Sequence, residues 1–135
     1  QWQPAEPADA VLLDAPCSAT GIFRRHPDVL HCIGARQIAD RAETQRALLD
    51  RTAPWVKPGG TLVYAVCSLE PEEGEEQIEA FLERHGNFAI DPVAADELPQ
   101  GMSPTGNRCV RTLPTTLAEQ GHVDGFFIAR LIRGS

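Results

Sequence analysis

Aromatic side chains are scarce in this 135-residue chain, at 6% of the residues with one Tyr and two Trp, so aliphatic residues must do most of the packing. No apolar run approaches the roughly 20 residues needed to span a bilayer. Gln1 to Asp9 also lacks the basic-then-apolar order of a secretory signal. No membrane association and a cytoplasmic location are therefore expected. Positive charge is short: 12 Lys and Arg face 19 Asp and Glu, a net charge of −7. That balance argues against a free-standing nucleic-acid binder of the kind that relies on clustered cations, so any RNA contact must be local or assisted. The four cysteines, Cys17, Cys32, Cys67 and Cys109, form no CxxC pair, which removes the zinc-ribbon and thioredoxin motifs. Nothing else points to an oxidising compartment, and the thiols are read as reduced.

What is present suits one globular α/β domain, with 42% hydrophobic residues. Ala10 to Asp14 is an apolar run ending in an acid, the pattern of a strand buried on both faces of a parallel sheet. Pro16 and Ser18 to Gly21 then force a turn, and Arg24 to Asp28 reads as a loop. From about Arg36 to Trp55, Ile38, Ala42, Leu49 and Ala53 recur at helical spacing, and Lys57-Pro58-Gly59-Gly60 ends the pattern. Thr61 to Cys67 is a second strand and Glu75 to Arg84 a second helix, with Ile78, Phe81 and Leu82 on its buried side. The five acids between Glu70 and Glu76 are read as a solvated helix start matched to its dipole. Phe88 to Ile90, Cys109 to Leu113 and Gly125 to Leu131 are strand candidates, with Asp91 to Arg108 a long loop.

In an open parallel sheet, ligands lie outside the carboxyl ends of the strands. A strand-helix-strand crossover therefore brings Asp14, Cys17 and Cys67 to one edge. A thiolate there is a strong nucleophile when a neighbour lowers its pKa; the alternative is a small buried apolar residue, as Cys often is.

The segment Asp14-Ala-Pro-Cys17-Ser-Ala-Thr-Gly21, then Arg24-Arg-His-Pro-Asp28, Tyr64-Ala-Val-Cys67-Ser68 and Pro71-Glu-Glu73 resembles the RNA cytosine-C5 methyltransferase family, most closely its bacterial small-subunit ribosomal RNA branch. Arg111-Thr-Leu-Pro114 and Asp124-Gly-Phe-Phe127 resemble the closing motifs of that family. The resemblance implies a Rossmann-like fold, mostly parallel with a late antiparallel strand, that uses S-adenosyl-L-methionine. It implies Cys67 as the nucleophile that adds to C6 of cytosine, and Cys17 as the group that assists product release. Asp14 is implied as a catalytic residue that also contacts the cofactor. Pro16, Ser18, Arg24 and Arg25, in and beside the cysteine loop, are expected as substrate contacts, and the resemblance implies RNA, ribosomal in the family's pattern, as the partner.

The chain departs from the family's pattern in three places. Val66 stands where Thr is usual and Gly74 where Asn is frequent. The Gly-rich cofactor loop and the ribose-binding acid belong before Asp14, and too few residues precede it to hold them. Residues 1–135 are therefore expected to form the C-terminal portion of a single catalytic domain, without its upstream cofactor loop and RNA-binding region. The S-adenosyl-L-methionine pocket is then incomplete, the isolated chain inactive, and the half-sheet prone to self-association.

Other residues have plainer readings. Arg24 and Arg25 adjoin the cysteine loop and suit phosphate contact or base stacking, or else are solvated loop arginines. His26, His31 and Cys32 lack a fourth ligand at a standard spacing, and no metal site is expected. Cys109 is read as packing and His122 as a turn residue. Phe126 and Phe127 alternate across a strand, so at least one belongs to the core. Two other function classes compete with the methyltransferase: a non-catalytic RNA- or protein-binding module that retains the half-fold, and a cysteine hydrolase, which needs a His base that no motif links to Cys67.

Overall fold

A computed structural model describes residues 2–135. Five strands form one mixed sheet: β1 (Ala8–Asp14), β2 (Val56–Val66), β3 (Phe88–Ile90), β4 (Val110–Thr112) and β5 (Phe126–Arg133). Among these residues three α-helices accompany them: α1 (Val29–Cys32), α2 (Ala35–Thr52) and α3 (Glu75–Arg84). β1 pairs with β2 in parallel, as a crossover through α2 requires. β5 then runs antiparallel to β2 on one side and to β3 and β4 on the other. Every strand except β5 thus points the same way, and the expected late antiparallel strand is found at the chain's end.

Register explains which residues enter the core. Val11 and Leu13 face Leu62 and Tyr64 across the β1–β2 pair, and Leu62, Tyr64 and Val66 face Leu131, Ala129 and Phe127 across the next. Because side chains alternate, these fall on one face of the sheet. Leu49 and Ala53 from the α2 side and Ile78 and Phe81 from α3 join them in a single cluster. Phe127 is buried and Phe126 only partly so, as the alternation across a strand requires.

Three expectations need correction. β1 is not buried on both faces: it lies at the sheet edge, and Leu12, on the face away from the core cluster, is 70% exposed. An apolar run reports what a strand can bury, and nothing among the described residues covers that side. Lys57 to Gly60 does not separate helix from strand. Ala8 pairs with Val56 but Ala10 already pairs with Thr61, so those four residues bulge out of β2, with Gly59 at φ 76° where glycine is free to turn. Finally, the acids around Pro71 are not uniformly solvated, because Glu73 is fully buried.

Candidate functional site

The parallel pairing of β1 and β2 delivers two loops to the same sheet edge. Ala15 N donates to Ala65 O and Gly21 N to Cys67 O, both at 3.0 Å, while Leu69 N donates to the Thr20 hydroxyl at 3.0 Å. The result brings Cys17 Sγ to 3.4 Å from Cys67 Sγ, although 50 residues separate them. Both sulfurs are half-buried. The turn carrying Cys17 is tight enough to place Ala19 in the left-handed region, at φ 59°.

The two thiols titrate unequally. The hydrogen bond from Cys17 lowers Cys67 to about 7, against burial and the negative charges of Asp14 and Glu73. That same contact, together with burial, drives Cys17 strongly upward. The directions of the two shifts assign the S–H to Cys17, and the pair gives up its first proton from Cys67 near neutrality. A half-exposed thiolate beside a protonated thiol can both attack and be stabilised on leaving.

Beneath the sulfurs lies a polar network that sequence reading missed. Oε1 of Glu73 accepts from Ser18 N at 2.8 Å and from Gln45 Nε2 at 2.9 Å. Oε2 accepts from the Ser68 hydroxyl at 2.5 Å and from the Ser18 hydroxyl. Gln45 Nε2 also donates to Pro16 O at 3.0 Å, which fixes the orientation of that amide, since a flip would set oxygen against two acceptors. Tyr64 donates its hydroxyl to Glu73 O at 2.6 Å. From β4, Arg111 donates to Ser68 O at 2.5 Å, chelates Glu75 and lies 5.1 Å above the Phe127 ring. Gln45 falls within the apolar stripe of α2, and that misplaced amide was the one available signal for a buried polar partner.

The remaining sequence-selected residues divide. Asp14 and Pro16 are exposed on the same edge as the cysteines, and Asp14 is close enough for its charge to oppose ionisation of Cys67. Ser18 is buried and turned inward onto Glu73 and Ser68. Arg25 donates to Asp124 at 2.8 and 2.5 Å, with Arg24 3.8 Å from the same carboxylate, so both arginines border the site while tied to the segment before β5. His31 and Cys32 lie exposed on or beside α1, Cys109 is buried, and His122 sits in a left-handed turn with φ 64°. The larger cavities lie elsewhere, including one of about 500 Å³ lined by Leu98, Met102, Leu117 and Phe126 and one of about 450 Å³ beside Trp55. Neither is lined by Asp14, Cys17 or Cys67. For an adenosyl cofactor these residues supply one wall, with an exposed carboxylate suited to a cationic or hydroxyl-bearing group, and no enclosure.

A family model described as 16S rRNA methyltransferase RsmB/F matches residues 1–132. A ribosomal RNA small subunit methyltransferase B of Salmonella arizonae is 44% identical over 133 residues, covering 98% of this chain and 28% of that protein. Among solved structures, NSun6 from Pyrococcus horikoshii with SFG is 29% identical with a TM-score of 0.77, covering 98% of this chain and 32% of the other. A methyltransferase homolog protein from Pyrococcus horikoshii is 31% identical with a TM-score of 0.64, covering 95% and 40%. The chain thus spans less than a third of the length of the curated relatives it matches.

Proposed function

Because this chain belongs to the 16S rRNA methyltransferase RsmB/F family, we propose that it is the C-terminal portion of the catalytic domain of an RNA cytosine-C5 methyltransferase acting on ribosomal RNA. The observation that carries this reading is the pair of unequal thiols 3.4 Å apart at the carboxyl ends of two parallel strands. Cytosine C5 is a poor nucleophile until a thiolate adds at C6. Cys67 Sγ forms that bond and makes C5 electron-rich. S-adenosyl-L-methionine, when bound, supplies the methyl group. The C5 proton then passes to solvent water as Sγ departs as the thiolate, which restores the aromatic ring, and the S–H of Cys17 stabilises the leaving sulfur by its hydrogen bond.

In the same reading Asp14 contacts the cofactor and the cytosine edge, and Pro16, Arg24 and Arg25 contact RNA. Ser18 acts from below, through its bonds to Glu73 and Ser68. The rest of the cofactor pocket and the cationic RNA-binding surface come from sequence outside residues 1–135, which accounts for a net charge of −7 in an RNA enzyme. The test is 5-methylcytosine formation on 16S rRNA by the full-length protein, measured by nucleoside mass spectrometry. Cys67→Ala is expected to abolish the product, and wild-type yield from that variant would overturn the assignment.

A further inference from the structure

Resting on the reading of Cys17 and Cys67 as one reacting pair, we propose that Glu73 is the positioning residue that locks their two loops together and so sets the spacing of the sulfurs. Each thiol sits on a loop, and the backbone bonds and the Thr20 hydroxyl that join the two loops leave the residues next to the sulfurs to be tied separately. Glu73 spans both. Its four hydrogen bonds include three to Ser18 and Ser68, the residues that directly follow Cys17 and Cys67. The fourth, from Gln45, ties the same carboxylate to α2, and Gln45 in turn holds Pro16 O, the residue just before Cys17.

The chemistry of the location argues against a merely space-filling role. A fully buried carboxylate carries a large desolvation cost. Its charge also opposes ionisation of both thiols, so Glu73 works against the thiolate electrostatically. What it supplies is geometric: four acceptor sites in one rigid plane, matched to four donors from α2 and the two loops. Tyr64 beneath it and Arg111 on Ser68 O secure the same segment from β2 and β4. Glu73 makes no hydrogen bond to either sulfur, and its effect on them passes through Ser18 and Ser68.

The direct measure is the effective concentration of the two thiols, read in the full-length protein with Cys32→Ser to remove an exposed thiol. In a glutathione buffer, one oxidised glutathione accepts two electrons from Cys17 and Cys67. The intramolecular S–S bond forms, the glutathione S–S bond breaks, and the two protein protons leave on two glutathione thiols. Glu73→Ala is expected to lower the equilibrium constant about tenfold or more, and Glu73→Gln, which keeps the acceptor facing Ser18 N, by about threefold. Ser68→Ala, which deletes one hydroxyl, is expected to fall between them and decides the matter if Glu73→Ala does not fold. A purely structural role would lower the denaturation midpoint and leave this constant unmoved. Values within about twofold of the parent for both Ser68→Ala and Glu73→Gln, with Glu73→Ala equally unaffected or unfolded, would overturn the proposal. The measurement needs neither RNA nor methyl donor, so absence of 5-methylcytosine from the parent protein would refute the methyltransferase reading and leave this result standing.

Discussion

At the scale of single residues, the division of labour lies in one shared proton. Cys67 is lowered to about 7 chiefly because Cys17 donates to it. An acid lowered in this way is deprotonated above its pKa, so alkylation of Cys67 by iodoacetamide is expected to rise with pH through a midpoint near 7. Cys17→Ala removes the donor, and the midpoint is expected to climb toward the roughly 8.5 of a free thiol. Peptide mapping after timed alkylation resolves Cys67 from the exposed Cys32. A midpoint indifferent to Cys17 would show that the sulfur contact does not govern the thiolate.

Between elements, close backbone approach sets the site as firmly as side chains do. Gly125 N donates to Gly21 O at 2.8 Å, and a Cβ on Gly21 would lie 2.0 Å from Gly125 O. Gly21→Ala is therefore expected to force the cysteine loop off the start of β5 and to destabilise the fold by about 1–3 kcal/mol, the usual cost of overpacking. Urea denaturation checks this, and a change under about 0.5 kcal/mol would show that the two segments separate freely. The same contrast between local and distant contacts explains what was legible in the sequence. α3 and β3 were readable to the residue because their signals are local: helical spacing of Ile78 and Phe81, and a short apolar strand before a Pro-rich stretch. The convergence of Cys17 and Cys67 followed from one crossover rule. Glu73 was hidden because its partners Ser18 and Gln45 lie 55 and 28 residues away, and among five neighbouring acids nothing local marks the buried one. The bare face of β1 was hidden for the converse reason, since sequence shows that Leu12 is apolar and says nothing of whether a neighbour covers it.

For the whole molecule, the helices seal one face of the sheet while β1 leaves an edge and Leu12 open. In the proposed parent, upstream strands extend the sheet beyond β1 and complete the cofactor pocket around Asp14. The 135-residue chain alone is accordingly expected to bind S-adenosyl-L-methionine weakly or not at all by calorimetry, and to self-associate through that edge in sedimentation experiments. A folded monomer that binds the cofactor with a dissociation constant on the order of 1 μM would contradict this placement of the pocket.

The most direct test of the paired-thiol account is whether the proposed covalent bond between enzyme and RNA forms and persists, followed in the full-length protein on denaturing gels. In the proposed mechanism addition requires Cys67, whereas departure of Sγ is assisted by the S–H of Cys17. Cys17→Ala is expected to accumulate a protein–RNA adduct that survives denaturation, and Cys67→Ala is expected to form none. An adduct in the Cys67 variant and none in the Cys17 variant would contradict the account.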